Sequence, residues 1–236
     1  MNELILACSV VLIFGAVLLA YRLFGNAGLY SMTAVVTVLA NIEVLILVEA
    51  FGMEQTLGNV LFAATFLITD ILSENAGKKA ANRAVFIGLG ASAFFVVLTA
   101  SWMLYLPADS DWAMPAIRTI FSTTPRLVLA SMTVYAVSQL LDVWLYHKWW
   151  ALTEKKTGSR RGFLWLRNNG STLISQLVNT VLFNLAAFVG MEGYTPGLLL
   201  SIILAGYAIY VVTSLLDTPA VYLARRIHER RKGSVE

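Results

Sequence analysis

Carboxylates and amides occur in this chain inside stretches that are otherwise almost wholly apolar. Asp70 and Glu74 stand four residues apart, and so on one helical face, at the end of a run that begins near Leu57. Ser138, Gln139 and Asp142 interrupt a second run, with Tyr135 one turn before Gln139. Thr172, Ser175, Gln176 and Asn179 form a polar stripe at helical spacing in a third. Asn41, Glu43 and Asp217 are similarly placed in two more. A carboxylate accepts hydrogen bonds from N–H groups, while Gln and Asn both donate and accept. With Phe66, Tyr135, Trp144 or Phe183 as stacking faces, such a set suits a planar heterocycle with a guanine-like edge, among other small polar molecules. Catalytic chemistry has less support. The two histidines, His147 and His228, lie near basic runs, and the single cysteine, Cys8, leaves no Cys/His pair, disulfide or cysteine metal cluster. No glycine-rich phosphate loop, HExxH or other metal-ligand constellation occurs, so neither a metal nor a cofactor is implied.

The elements that must carry these residues follow from composition. Of 236 residues, 58% are apolar and 13% charged, with a mean hydropathy of +0.72. A soluble domain has about 45–50% apolar and about 25% charged residues, so the apolar surplus here belongs in a bilayer. Apolar runs fall at 3–21, 28–50, 57–73, 84–106, 125–147, 169–190 and 197–224. Each is long enough to cross about 30 Å of hydrocarbon as a helix. The fold class is therefore all-α, a polytopic membrane bundle of about seven helices forming a single transmembrane domain, 1–236. Fifteen of the seventeen Lys and Arg fall on alternate connections and in the basic tail 225–236, with Arg118 and Arg126 as the exceptions. The positive-inside rule then places the N-terminus outside and the C-terminus in the cytoplasm of a multi-pass protein of the cell membrane. The same rule, with attraction to anionic lipid, accounts for the basic clusters, and no nucleic-acid partner is implied. Residues 109–124, with Trp112, Ile117 and Phe121, suit the outer interface.

An Asp, Glu or Lys at a helix centre costs roughly 2.5–3.5 kcal/mol on insertion scales, and such residues usually face a pathway or site. Hydroxyls and amides can instead join helices, at about 0.6–2 kcal/mol each. That reading is preferred for Ser131, Thr133, Thr180 and Ser201, and the functional one for Asp70 and Asp142. Glu74 reads equally as a helix-end cap, and Asp217, just before Thr218-Pro219, equally as structural. Val137-Ser-Gln-Leu-Leu-Asp142 and Ile174-Ser-Gln-Leu-Val-Asn179 echo each other on adjacent spans of opposite direction, which would set them about a local two-fold, although six residues is a short repeat.

Three stretches are specific. Phe66-Leu-Ile-Thr-Asp-Ile-Leu-Ser-Glu74 is followed by Gly77-Lys-Lys-Ala80. Pro125-Arg126 leads to Tyr135-Ala-Val-Ser-Gln-Leu-Leu-Asp-Val143. The third is Leu166-Arg-Asn-Asn-Gly-Ser-Thr-Leu-Ile-Ser-Gln176. Together they resemble the queuosine precursor transporter family over about 28–224. The resemblance implies uptake of 7-deazaguanine bases (7-cyano, 7-aminomethyl or queuine) for tRNA modification. It also implies a bundle similar to the substrate-binding subunits of energy-coupling-factor transporters, working without their ATPase partners, and a homodimer. The alternative is a binding subunit for a vitamin or nucleobase-like ligand that needs a separate ATP-driven module. The motif residues carried over are Asp70, Glu74, Arg126, Gln139, Asp142, Asn168, Asn169, Ser171 and Gln176. With the polar residues read from their position in the spans, the candidate substrate-binding set is Asn41, Asp70, Glu74, Arg126, Tyr135, Gln139, Asp142, Asn169, Thr172, Gln176 and Asn179. Many members carry Asp where this chain has Asn179, and the helix at 3–21 is additional to the shorter members.

Overall fold

The computed structural model describes residues 1–121, 125–159, 161–190, 193 and 195–233; the side chains of 53–55, 125–128 and 232–233 are not among those described. Seven long helices are present: α1 (Asn2–Phe24), α2 (Asn26–Glu43), α3 (Gly58–Ala76), α4 (Lys78–Trp102), α6 (Pro125–Thr157), α7 (Leu164–Phe188) and α8 (Pro196–Gly233), with a short α5 (Met114–Phe121) before α6. By length and composition α1, α4, α7 and α8 are candidate membrane spans among the described residues. In α2 and α3 the apolar content is diluted by polar residues that turn inward: Thr33 and Thr37 in α2, and Thr65, Thr69, Asp70 and Ser73 in α3.

One boundary differs from the sequence expectation. The apolar run 28–50 is not a single helix: α2 stops at Glu43, and β1 (Leu47–Ala50) pairs antiparallel with β2 (Met53–Thr56). The β-branched Ile46 and Val48 favour extended backbone over helix. The hairpin closes through Phe51 and Gly52, with φ of 55° and 70°. Positive φ at both central residues is what a two-residue loop requires to match strand twist. At the other end of the chain, the basic segment from Arg225 continues α8 as helix to Gly233.

Helix α3 is the hub and packs against α1, α2, α4, α6 and α8. From Ala63 to Ser73 every residue is buried, so no face of that stretch meets lipid. The outer helices show the complementary pattern. In α1, Leu6, Val10, Phe14, Val17 and Tyr21 form a buried stripe, while Leu4, Ile5, Val11, Leu12, Leu19 and Leu23 are exposed. Helix α1 is also fastened to the end of α8. The Arg231 guanidinium donates to the Tyr21 carbonyl at 2.6 Å, and the Tyr21 hydroxyl lies 2.9 Å from Nδ1 of His228.

Two joints are single glycines. Gly25 between α1 and α2 has φ of 63°, and Gly77 between α3 and α4 has φ of 84°. Both are left-handed conformations that glycine alone adopts without strain. Gly88 on α4 serves close packing instead: a Cβ there would run into the Tyr135 hydroxyl of α6 and crowd Thr37 of α2. Gly88→Ala is expected to destabilise the bundle by about 1–3 kcal/mol through overpacking. Combining it with Tyr135→Phe, which removes the colliding oxygen, should restore part of the loss. Thermal unfolding of the purified protein in detergent micelles measures both.

Candidate functional site

Helices α3, α6, α7 and α8 bring their polar residues to one level. Asp70, Gln139, Asp142, Ser171, Thr172, Ser175, Gln176 and Asp217 are each 2% exposed or less. Oδ2 of Asp70 accepts from the Thr172 hydroxyl at 3.1 Å, and Oδ1 of Asp142 accepts from the Ser175 hydroxyl at 2.8 Å. The two carboxyls are neighbours, since their hydroxyl partners Thr172 and Ser175 lie one turn apart on α7. Their remaining oxygens, Oδ1 of Asp70 and Oδ2 of Asp142, receive no other donor, and neither does Oε1 of Gln176 one turn beyond Thr172. Gln139 is held by α3: the Thr69 hydroxyl donates to its Oε1 at 3.2 Å, and its Nε2 donates to Thr65.

The short echo between α6 and α7 has a structural counterpart. Ser138 donates to Oδ1 of Asn179 at 3.3 Å, and Ser175 donates to Oδ1 of Asp142 at 2.8 Å. Each serine pairs with the last residue of the opposite segment, as two antiparallel copies about a local two-fold would. One copy ends in a carboxylate and the other in an amide.

Toward the basic end, the layer is closed by an ion pair. The Arg167 guanidinium grips Glu74 with Nη2 on Oε1 at 2.7 Å and Nε on Oε2 at 2.9 Å. Both side chains are buried, at 0% and 4% exposure. The Tyr146 hydroxyl donates to Oε2 at 2.7 Å, Nη1 of Arg167 donates to the Gly162 carbonyl at 2.8 Å, and the guanidinium lies 4.3 Å over the Trp150 ring. Arg225 of α8 stands 3.6 Å from the same glutamate. Toward the opposite end, Phe62 meets Phe66, Tyr135 and Tyr210 at ring-centroid distances of 5.4, 6.0 and 6.1 Å. The carboxyl layer thus lies between an aromatic seal and an ionic one.

The other candidates are placed apart. Asn41 donates to Ser92 at 3.0 Å and joins α2 to α4. Tyr135 directs its hydroxyl toward Gly88 and Thr37 and offers only its ring edge to the aromatic seal. Asn169 is filled by α8: it donates to Thr218 at 2.7 Å and accepts from Ser214 at 3.2 Å. Glu74 is filled by Arg167 and Tyr146. Arg126 lies in the first turn of α6 and its side chain is outside the described residues. Asp217, left open by the sequence, accepts from Asn168 at 2.7 Å.

Arg167 itself was hidden in sequence among the topogenic basic residues. Its spacing to Ser171 and Ser175 puts it on the buried face of α7, which is the signal that marks it as an interior cation.

Comparison with known proteins fixes the family. Residues 56–224 match the family described as "Putative vitamin uptake transporter". The chain belongs to this family. It is also 37% identical over 214 residues to a protein of Bacillus subtilis (strain 168) named "Probable queuosine precursor transporter", covering 91% of this chain and 90% of that one. No solved structure matches. The family match begins at Thr56, the last residue of the hairpin, so α1 and α2 lie outside it while α3 to α8 up to Ala224 lie within. The polar layer and both seals therefore belong to the vitamin-uptake-transporter core, in a membrane transporter of multiple apolar helices.

The lock between Glu74 and Arg167 has a measurable strength. Removing one partner of a buried pair strands the other charge and costs about 3–5 kcal/mol, whereas replacing both with apolar groups is far milder. Arg167→Met alone should therefore lower the melting temperature in micelles more than the double variant Glu74→Leu, Arg167→Met.

Proposed function

We propose that this transporter imports a 7-deazaguanine precursor of queuosine into the cytoplasm. The observation that carries this reading is the layer of paired carboxyls and amides enclosed by α3, α6, α7 and α8. It lies in a chain similar over nine-tenths of its length to a protein named for queuosine precursor transport. A guanine-type edge offers a ring N–H beside an exocyclic amino group, and a carboxylate accepts both at once. The residues proposed to face the base are Asp70, Gln139, Asp142, Thr172, Gln176 and Asn179. Glu74, with Arg167, is proposed to close the route to the cytoplasm rather than to touch the base.

Transport then alternates between breaking the aromatic seal and breaking the ionic one, with the site fixed near the midplane. The charge distribution orients the cycle. The start of α4 and the ends of α6 and α8 carry the basic residues, so on this reading the ionic seal faces the cytoplasm, the aromatic seal faces out, the N-terminus is outside and the C-terminus inside. A green fluorescent protein fused at the C-terminus should fluoresce, and alkaline phosphatase at the same point should be inactive; the reverse result overturns the orientation.

Uptake is tested in a bacterium lacking both de novo queuosine synthesis and its own precursor transporter. Expressing this chain and supplying the 7-cyano, 7-aminomethyl or queuine base at nanomolar concentration should restore queuosine in tRNA. Asp70→Asn, with normal membrane expression, should reduce that signal at least about tenfold, the scale of losing a charged hydrogen-bond partner in a buried site. Failure with all three bases despite good expression would overturn the reading and leave a vitamin-like ligand as the alternative.

A further inference from the structure

We propose that the Asp70–Asp142 pair selects precursors whose side arm carries a protonated amine, the 7-aminomethyl class, over the neutral 7-cyano base. This rests on the transport reading above and deepens it. Both carboxyls are completely buried, Asp70 on α3 and Asp142 on α6, and each is held by a hydroxyl of the same turn of α7, Thr172 and Ser175. The other charged group near them on α8 is Asp217, a third acid. Helix α7 brings one buried cation, Arg167, and that is committed to Glu74 through two hydrogen bonds. Among the described residues, no Lys, Arg or His hydrogen-bonds or ion-pairs with Asp70 or Asp142.

The unfilled polar atoms of this layer point the same way. Oδ1 of Asp70, Oδ2 of Asp142 and Oε1 of Gln176 are buried acceptors without a hydrogen-bond donor, and Asn168 beside them leaves its Oδ1 unfilled as well. Many donors of the same layer are already used: the Thr172, Ser175 and Ser138 hydroxyls, the Gln139 amide and the Asn168 amide all have acceptors. A ligand that fits must bring N–H groups, and one that also brings positive charge offsets the negative charge the pair keeps when its two carboxyls share a single proton. A neutral base supplies donors from its pyrimidine edge and leaves that charge uncompensated in a low-dielectric layer. A base with an ammonium arm supplies both. Queuine, whose side arm is also an amine, falls in the favoured class.

The test is competition binding to the purified full-length protein in micelles, with tritiated 7-aminomethyl-7-deazaguanine displaced by the unlabelled 7-aminomethyl and 7-cyano bases. The 7-cyano base should need at least about tenfold more to displace the label, as expected when one member of a buried charge pair is missing. In Asp142→Asn and Asp70→Asn, affinity should fall for both bases, because the pair faces the shared pyrimidine edge, but about tenfold further for the 7-aminomethyl base, so the preference collapses. Melting temperatures of the variants in micelles show that they are folded. Equal displacement by the two bases with the unmodified protein overturns this inference and leaves the transport reading standing. An equal fall in affinity for the two bases in both variants overturns it too, by leaving the pair no part in reading the arm's charge. Recovery of full 7-cyano affinity on adding sodium chloride, but not choline chloride, overturns it by assigning the charge to an inorganic cation. Binding of neither base to the unmodified protein overturns both readings together.

Discussion

A carboxyl group at the depth of a bilayer must be surrounded by protein, and Asp70 imposes that condition on the whole bundle. Its helix has no free face between Ala63 and Ser73. Five other helices pack against it. The helices that enclose the acid are in turn obliged to be polar on their inner faces and apolar outside. This explains why Thr, Ser, Asn and Gln concentrate on α6 and α7 while Leu, Phe and Val face outward on α1, α4 and α8. Hydroxyls serve well here because the single proton of each can go either across to a neighbouring helix or back to a carbonyl one turn earlier, as the geometry of Ser138 and Ser175 allows. A donor that switches partners in this way is met whether or not the site is filled.

The interior is consequently stratified. Rings on one side are held by dispersion and shape, whereas the guanidinium and glutamate on the other are held by charge and directional hydrogen bonds. Between them lies the layer of buried acids, where Oδ1 of Asp70, Oδ2 of Asp142 and Oε1 of Gln176 have no donor among the described residues. The asymmetry between the two halves of the α6–α7 echo falls in the same layer. Asp142 and Asn179 occupy equivalent places, and only one of them carries a carboxyl. The near-repeat supplies a symmetric scaffold and an asymmetric electrostatic field.

Much of this was legible in the sequence because membrane insertion leaves few disguises. The runs of apolar residues marked seven helices, and the charges within them marked Asp70, Asp142 and the α7 stripe. The hairpin at Leu47–Thr56 was not legible, since a β-branched apolar run satisfies a helical span and a strand equally well by composition. The partition of roles was hidden for a different reason. Asn41, Asn169 and Gln139 are all amides at plausible depth, and only packing distinguishes the one that joins α2 to α4, the one that joins α7 to α8 and the one that joins α6 to α3. Arg167 was hidden by its neighbours, because orientation rules count basic residues without asking which face they occupy.

The single-glycine joints have a mechanical consequence. A connection of one residue has no slack, so the ends of α1 and α2 at Gly25, and of α3 and α4 at Gly77, cannot slide past one another; they can only pivot. The bundle therefore contains two taut hairpins, α1–α2 and α3–α4. Asp70 lies on the second of them and Asp142 on α6, outside both, so the two acids stand on elements that pivot separately.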